Sequence, residues 1–181
     1  DQLAELRASV SARPGVRLVE VGHNSGFGPG ANAGLRTWLN DDDTEWAILT
    51  PHDAAPAPDC LQLMFEAIDA EPMAGLACAD VGDGQVPMFD PYFGGVTTAS
   101  KVDVGWEDAD YPHGTLMALR RGCVEEIGLF DETFFAYCEE AELGLRARRA
   151  GWRIGLINGA RVTNTHLGTS VAAVDYLQQR N

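Results

Sequence analysis

The chain has 181 residues and a formal net charge of −14, and lysine occurs once among its 13 basic residues. This length suits one domain with a sizeable core better than two. The acidic charge leaves no basic patch for a nucleic-acid backbone, which excludes nucleic acid as a partner. No apolar run approaches the ~20 residues of a membrane span and no secretory leader opens the sequence, so we expect a globular protein without a transmembrane segment.

Helical and strand-like patterns alternate along the first half of the chain. Apolar residues recur every three to four positions in the helical segments, and alternate or run uninterrupted in the strand-like ones. These patterns predict helices over residues 2–12 and 59–70 and strands over residues 16–21, 46–49 and 73–79. Such alternation predicts an α/β fold with a mostly parallel sheet flanked by helices.

A glycine-rich segment, HNSGFGPGANAGL at residues 23–35, follows the first predicted strand and precedes a helix that runs to about Leu39. Glycines permit positive φ angles and close backbone approach, so the segment can point amide N–H groups at an anion such as a nucleotide phosphate. It has neither the GK[ST] of a Walker loop nor a GxGxxG fingerprint. A tight structural turn, with Asn32 as a local cap, is an equally weighted alternative.

Polar residues follow the predicted strand at 46–49. They are Thr50, Pro51, His52 and Asp53. Ligands of open α/β sheets bind at the carboxyl ends of strands, and a carboxylate with an imidazole can reach a divalent cation. A polar loop before the proline-rich turn AAPAPD explains the same residues equally well. The aspartates at 41–43 precede the strand, so we interpret them as an exposed charge run.

The second half of the chain opens with residues 82–105, whose glycines, prolines and aromatics favour hairpins or substrate-facing loops. Residues 111–120 predict a strand in which Gly114 marks a close backbone approach. A short helix then ends at Gly128, and a last strand is predicted over residues 152–157.

Two other kinds of reactive residue have simple interpretations. His113 has no local partner, which favours a polar loop residue over a ligand. The four cysteines are scattered without a CxxC pair, so we interpret each as a small buried hydrophobe in a reduced, cytoplasmic protein.

Residues 129–152, LFDETFFAYCEEAELGLRARRAGW, place acidic residues among aromatics before an amphipathic helix. Glu139 and Glu140 stand where that helix should begin, beside the positive end of its macrodipole. We therefore expect both carboxylates to be ionised and able to accept a proton. From the residues alone, the favoured alternative is a capped surface helix in which Glu142 pairs with Arg146.

Together, these segments resemble the family-2 glycosyltransferases of the GT-A fold, in particular rhamnosyl- and galactofuranosyltransferase-like bacterial members. The matching segments are NSGFGPGANAGL at 24–35, ILTPHDAAPAP at 48–58, the long block at 114–152 and THLGTS at 165–170. The resemblance covers essentially the whole chain, and the long block is its most specific part. It implies a single GT-A domain over residues 1–181, with a mixed, mostly parallel, Rossmann-like sheet.

The resemblance implies an enzyme that moves a sugar from a nucleoside-diphosphate donor to an acceptor hydroxyl, with inversion at the anomeric carbon. Glu140 falls at the position of the family's catalytic base, and Glu139 fills the acidic position before it. The family usually has aspartate at the base position; glutamate changes the reach of the carboxylate but not its chemistry. The residues expected to bind the nucleotide sugar are Asn24, Asn32 and Gly114.

The resemblance also implies a divalent cation, Mg²⁺ or Mn²⁺, that neutralises charge on the departing nucleoside diphosphate. Asp53 matches the last aspartate of the family's DxD metal motif, and His166 matches a histidine that completes the coordination in some members. Pro51 stands in place of the first aspartate, so His52 or water would supply the missing ligand.

The family begins with a strand, a helix and a second strand that grip the nucleoside, and this chain starts after them. We therefore expect a longer natural protein. We expect it in the cytoplasm or at the inner face of the membrane, where it builds a cell-surface polysaccharide or glycolipid. Two alternatives remain: a non-catalytic sugar-nucleotide or glycan-binding module of the same fold, and a nucleotidyltransferase, which normally has a basic glycine-rich loop.

Overall fold

The computed structural model describes residues 2–41 and 43–164. Its helices are α1 (Gln2–Ser11), α2 (Phe27–Asp41), α3 (Cys60–Asp69), α4 (Arg121–Ile127) and α5 (Glu139–Arg149). Its strands are β1 (Trp46–Leu49), β2 (Ala54–Pro56), β3 (Ala74–Asp80), β4 (Gln85–Asp90), β5 (Gly94–Ala99), β6 (Gly105–Asp108), β7 (Met117–Arg120) and β8 (Arg153–Asn164). Among these helices, none has the length and hydrophobicity needed to cross a bilayer.

A six-stranded sheet lies at the centre of the fold, in the order β1-β7-β3-β8-β2, and β6 also pairs with β8. Strands β3 and β8 are parallel, whereas β7 is antiparallel to both β1 and β3, and β2 and β6 are antiparallel to β8. The sheet is therefore mixed, as predicted, but the predicted predominance of parallel pairing was wrong. The reason is that β7 inserts, reversed, between β1 and β3, which helix α3 would otherwise connect as parallel neighbours.

Strand β3 shows how the sheet is covered on both faces. All seven of its residues are buried, and successive side chains point to opposite faces. Leu76 and Cys78 pack with residues of α2, α4 and α5, whereas Ala77 and Ala79 pack with α3. Helices thus cover both faces of the central strand, which explains its uninterrupted apolar sequence. The cysteines buried in these cores, as predicted, are Cys60, Cys78 and Cys123.

The prediction of a strand at residues 16–21 was wrong. Val16, Val19 and Val21 are exposed by 49%, 42% and 41%, and no strand of the described residues pairs with this segment. An alternating sequence forms a stable strand only when a neighbouring strand completes its hydrogen bonds and covers its apolar face.

For three further predicted segments, the structure shows how much of each forms strands of a sheet. Residues 82–105 contain the β4–β5 hairpin, as expected. Only the end of the strand predicted at residues 111–120 pairs in the sheet, as β7. The last strand extends beyond residue 157, because a register shift near Gly159, whose φ angle is 86°, carries β8 on to pair with β2.

One edge of the main sheet gathers the loops that matter for function. Leu49, at the end of β1, and Cys78, near the end of β3, both pair with Met117 at the start of β7. The loop that precedes β7 therefore lies beside the loop that follows β1. The Thr50 hydroxyl donates a hydrogen bond of 3.1 Å to the Thr115 carbonyl across this junction.

Candidate active site

Glu139 and Glu140 begin helix α5, as predicted. The turn before them is strained, because Tyr137 and Cys138 have φ angles of 69° and 75°, which residues other than glycine rarely adopt. Such positions cost about 1–3 kcal/mol each and cluster at functional sites. The surrounding structure therefore stabilises a turn that the chain alone would avoid, and this turn sets where the two carboxylates stand.

Helix α5 lies very close to the loop before β7. A Cβ atom at Gly144 would lie 2.5 Å from the carbonyl oxygen of Asp110 and 2.7 Å from the Cα of Tyr111, so this approach requires glycine. Arg148 of α5 forms an ion pair with Asp110, which also accepts a hydrogen bond of 2.8 Å from the backbone N–H of Phe89. These contacts join α5, the loop and the β4–β5 hairpin.

Glu139 is buried, with 2% of its surface exposed, and its Oε2 atom has no hydrogen-bond partner among the described residues. Burial, and then the charge of Glu140, raise the pKa of Glu139 to about 7. Burial also raises the pKa of Glu140. The prediction that both carboxylates are held ionised was therefore wrong in direction, because burial outweighs the backbone hydrogen bonds at the helix start. A raised pKa makes a carboxylate a stronger base once it is deprotonated.

The first of two cavities at this edge, which we name the small cavity, has a volume of about 300 Å³. Its lining includes Pro51 and Asp53, which follow β1, together with Gly114, Thr115 and Glu139. It therefore lies at the carboxyl end of β1, where ligands of α/β sheets usually bind.

The second cavity, which we name the aromatic cavity, has a volume of about 630 Å³. Its aromatic lining consists of Phe89, Tyr92, Phe93, Tyr111, Phe134 and Tyr137. The side chain of Glu140 lines both this cavity and the small cavity. A single carboxylate thus lies between two spaces of different chemical character.

Gly114 is the backbone neighbour of that carboxylate. A Cβ atom at Gly114 would lie 2.7 Å from Oε1 of Glu140, which confirms the predicted close backbone approach. A side chain at position 114 would therefore displace the Glu140 carboxylate from its position between the cavities.

The predicted metal ligands do not form a complete set within the described residues. Asp53 lines the small cavity, His52 is exposed, and His166 lies outside the described residues. No group of three or more His, Cys, Asp or Glu side chains in residues 2–41 and 43–164 is arranged to hold a metal ion. Mg²⁺ is nevertheless often bound by one or two carboxylates together with substrate phosphates. Asp53, which lines the small cavity, fits that simpler arrangement.

Asn32 has a different role from the local cap that was one interpretation of the glycine-rich segment. It lies inside α2 with 0% of its surface exposed. Its amide nitrogen donates to the Phe130 carbonyl at 2.9 Å and to Glu132 at 3.0 Å, and its oxygen accepts from the Phe130 N–H at 3.1 Å. Asn32 therefore joins α2 by hydrogen bonds to the segment that leads into the strained turn. Asn32 could bind a nucleotide directly only if these hydrogen bonds broke.

The start of the glycine-rich segment docks on the same region. Asn24 is exposed and accepts a hydrogen bond of 3.1 Å from the Gly26 N–H. A Cβ atom at Gly26, whose φ angle is 102°, would overlap the Phe135 carbonyl, which also accepts a hydrogen bond of 2.9 Å from the Phe27 N–H. Gly26 therefore serves close packing, and a nucleotide contact of Asn24 stays a prediction.

The predicted ion pair between Glu142 and Arg146 is present at 2.6 Å. It is half-buried rather than exposed, since Arg146 also donates to the carbonyls of Ile127 and Leu129. These two carbonyl groups lie at and just beyond the end of α4. Arg146 therefore connects α4 to α5, which is more than the solvent-facing role predicted for it.

Sequence reasoning missed the aromatic cavity and the placement of His113. The aromatic runs at residues 89–93 and 134–137 were a visible signal, but aromatic side chains in a globular chain most often fill the core. Here Tyr92 and Phe93 are 91% and 79% exposed. His113 lines the aromatic cavity, although it was interpreted as an ordinary loop residue.

The chain resembles known glycosyltransferases in sequence. Residues 104–181 match the family described as Glycosyltransferase like family 2. The chain is 25% identical over 195 residues to the N-acetylglucosaminyl-diphospho-decaprenol L-rhamnosyltransferase of Mycobacterium tuberculosis, an alignment that covers 86% of this chain and 61% of that protein. It is 22% identical over 149 residues to the low-salt glycan biosynthesis hexosyltransferase Agl10 of Haloferax volcanii, covering 77% and 48%. The chain thus spans 61% or less of these relatives.

The chain also resembles solved structures. GalNAc-T7 with UDP, GalNAc and Mn²⁺ aligns with a TM-score of 0.69 at 12% identity, covering 88% of this chain and 34% of that one. The mannosyltransferase PcManGT from Pyrobaculum calidifontis, in complex with GDP-Man and Mn²⁺, aligns with a TM-score of 0.68 at 18% identity, covering 97% and 47%. These likenesses confirm the predicted GT-A fold, and with the sequence matches they confirm the resemblance to glycosyltransferases.

Proposed function

We propose that this chain contains the catalytic centre of an inverting glycosyltransferase, which moves a sugar from a nucleoside-diphosphate sugar to an acceptor hydroxyl. The observation that carries the proposal is the position of Glu140, whose side chain lines both cavities. A general base in a transfer between two substrates must reach the acceptor hydroxyl while that hydroxyl faces the donor. A carboxylate between two cavities meets this requirement.

In the proposed reaction the donor sugar enters the small cavity and the acceptor enters the aromatic cavity. Glu140 takes the proton of the acceptor hydroxyl, and the hydroxyl oxygen forms a bond to the anomeric carbon of the donor. The bond from that carbon to the diphosphate oxygen breaks, and its electron pair leaves with the nucleoside diphosphate. Attack from the face opposite the leaving group inverts the configuration. The raised pKa of Glu140 supports this role, because a base of higher pKa takes a proton more readily once ionised.

Glu139 has a different proposed role from Glu140. Glu139 lines the small cavity but not the aromatic cavity, and its Oε2 atom is buried without a hydrogen-bond partner among the described residues. A carboxylic acid with a pKa of about 7 is partly protonated at neutral pH and can then donate a hydrogen bond. We assign Glu139 to donor positioning, second in importance to Glu140.

A divalent cation fits the donor side. Asp53, together with the diphosphate of the donor, would hold Mg²⁺ or Mn²⁺, which are bound by oxygen ligands of this kind. Bound there, the cation would neutralise the charge that develops on the departing diphosphate. The structures of GalNAc-T7 and PcManGT contain Mn²⁺ and nucleotides, which supports a metal-assisted reaction with a nucleotide-sugar donor here.

The acceptor is proposed to be a glycan or glycolipid of the cell surface. The names of the relatives from M. tuberculosis and H. volcanii, an N-acetylglucosaminyl-diphospho-decaprenol rhamnosyltransferase and a glycan biosynthesis hexosyltransferase, support this class. We retain the cytoplasm or the inner membrane face as the proposed location, because nucleotide sugars and lipid-linked acceptors would meet there.

The test is Glu140→Gln, which keeps the size of the side chain but removes its basicity. We expect transfer to fall by roughly 10²–10⁴-fold, the usual contribution of a general base. Release of nucleoside diphosphate from a panel of nucleoside-diphosphate sugars measures transfer, and calorimetry with nucleoside diphosphates measures binding. Binding should stay within about threefold, because Glu140 does not hold the diphosphate.

Glu66→Gln is the matched control, since Glu66 is exposed on α3 and bonds only to Gln62 in the described structure. Full transfer activity in Glu140→Gln would rule out its assignment as the base. If nucleotide-sugar binding by the wild-type protein does not depend on a metal ion and no turnover follows, the result would favour the non-catalytic module, which is motivated by Pro51 in place of the DxD aspartate.

A further inference from the structure

His113 occupies an unusual position for a histidine. It immediately precedes Gly114, the backbone neighbour of the Glu140 carboxylate, and it lines the aromatic cavity, as Glu140 does. Both of its ring nitrogens are shielded from solvent and have no hydrogen-bond partner among the described residues. The Cys78 thiol and the Ala79 backbone lie near the ring.

An unpaired buried imidazole destabilises a folded protein, because water no longer satisfies its polar atoms and no protein group replaces it. Such a group persists in a native structure when something else uses it. A neutral imidazole offers one N–H donor and one nitrogen acceptor. The partner that satisfies it should therefore be able both to accept and to donate a hydrogen bond.

We propose that His113 is a hydrogen-bonding partner of the acceptor, and that it selects acceptors with a second hydroxyl beside the one that Glu140 deprotonates. This inference rests on the proposed function, since it places the acceptor in the aromatic cavity. A sugar hydroxyl both donates and accepts, which matches the imidazole. The aromatic walls provide flat apolar surfaces for the faces of a sugar ring, and few polar groups in an apolar lining are typical of a site that orients a small ligand.

Other acceptors fit the cavity less well. A purely apolar occupant would leave the His113 nitrogens buried and unpaired in the complex as in the free protein. An anionic occupant would face two carboxylates of the lining, Glu140 and Glu142, and the basic residue that lines the cavity with them is His113 alone, so negative charge would exceed positive charge there. A neutral, hydroxyl-rich sugar avoids both difficulties.

The experiment compares wild type, His113→Phe and His113→Gln, with His23→Phe as a matched control on the exposed loop before α2. Methyl hexopyranosides serve as surrogate acceptors, and release of nucleoside diphosphate is measured with and without them. In His113→Phe we expect the KM for the methyl glycoside to rise about tenfold, the effect of losing a hydrogen bond to the substrate. The KM for the donor and the acceptor-independent hydrolysis should change less than about twofold. His113→Gln should recover part of the loss.

A stability measurement separates this role from a structural one. The Tm of His113→Phe should equal or exceed that of wild type, because the substitution removes an unpaired polar group and keeps an aromatic ring. A lower Tm for both variants, or equal changes in donor and acceptor KM, would show that His113 supports the fold or the donor instead. An unchanged KM for the glycoside would likewise overturn the proposal.

A binding measurement keeps the inference independent of turnover. In ¹⁵N-histidine-labelled protein, the ring-nitrogen signals of His113, identified by their loss in His113→Phe, should shift saturably as methyl glycoside is added. If these signals shift while no donor is turned over, the proposed reaction fails and the sugar site remains. If donor turnover is present but the signals stay unchanged at saturating glycoside, the inference about His113 fails alone.

Discussion

The small cavity and the aromatic cavity share Glu140 but are built from different parts of the fold. The small cavity lies where β1 ends and β7 begins, and the antiparallel pairing of these strands sets the distance between its walls. Tyr137 of the strained turn before α5 also lines both cavities, and the aromatic cavity alone uses the β4–β5 hairpin, a two-stranded sheet separate from the main one.

The hairpin is joined to the rest of the molecule through few polar contacts. Asp110 accepts a hydrogen bond from Phe89, its own N–H donates to the Pro87 carbonyl at 2.9 Å, and the Tyr111 hydroxyl donates to Val96 at 3.4 Å. The difference between the cavities suggests a division of roles. The main sheet fixes the donor side. The acceptor side depends on the hairpin, whose exposed side chains Tyr92 and Phe93 can change without altering the core.

The largest expected effect follows from breaking the junction between the cavities. In Gly114→Ala the new methyl group would lie 2.7 Å from Oε1 of Glu140 and would push the carboxylate aside. Since a displacement of about 1 Å at a catalytic group can reduce the rate about 100-fold, we expect a loss of transfer of that order. The Tm should change little, because the displaced atom is the end of a flexible side chain.

Gly34→Ala is the control for that variant, since Gly34 lies inside α2 with open space around its Cβ position. There alanine should stabilise the helix by about 0.5–1 kcal/mol and leave transfer unchanged. Retained activity in Gly114→Ala would mean that Glu140 does not work from its observed position.

A second effect concerns stability on the donor side. Because burial raises the pKa of Glu139 from 4.5 to about 7, the folded protein binds more protons than the unfolded chain between these values. Stability should therefore fall as the pH rises through this interval and remain low above it. Glu139→Gln should remove this dependence and be the more stable protein at about pH 8 by roughly 1–3 kcal/mol, since each pKa unit corresponds to about 1.4 kcal/mol.

Urea unfolding of wild type, Glu139→Gln and the exposed control Glu66→Gln at about pH 5 and about pH 8 measures this difference. If Glu139→Gln is less stable than wild type at the higher pH, the ionised Glu139 carboxylate has a stabilising partner. The conclusion that Glu139 is buried without a partner would then be wrong.

A third effect tests the metal on the donor side alone. Asp53→Asn should raise the Mn²⁺ concentration for half-maximal donor binding about tenfold, because it removes a charged oxygen ligand. Binding of methyl glycosides should not change, since Asp53 does not line the aromatic cavity. Asp59→Asn at the start of α3 is the matched control. An equal metal requirement in Asp53→Asn and wild type would exclude Asp53 as a ligand.

Much of the donor side could be predicted from the sequence because its determinants are local. The start of α5 at Glu139 follows from helical periodicity, and strand β1 follows from its apolar run. The close approach at Gly114 follows from a glycine within a strand-like sequence. The order and direction of the strands could not be predicted in this way, because β7 pairs with β1 and β3 across long stretches of chain.

Other parts of the site depend on contacts that a single sequence does not reveal. Asn32 finds its partner Phe130 98 residues away, so no local motif distinguishes it from a helix cap. The raised pKa values at the start of α5 result from burial by distant segments, which the helix pattern could not indicate. The place of His113 in a cavity could not be predicted, because the aromatic residues that line this cavity with it come from distant parts of the chain.

The smallest expected effect is at the mouth of the aromatic cavity. The N–H groups of Tyr92 and Phe93 both donate to the Asp90 side chain, which fixes the hairpin turn by its backbone and leaves the two rings 91% and 79% exposed. Replacing either ring with alanine should therefore change the free energy of unfolding by no more than a surface substitution does, about 0.5 kcal/mol. The KM for methyl glycosides should rise about threefold, because part of the apolar wall is lost, and donor kinetics should stay the same. If both variants weakened donor binding as much as acceptor binding, the assignment of the two cavities to two substrates would fail, since these rings line only the aromatic cavity.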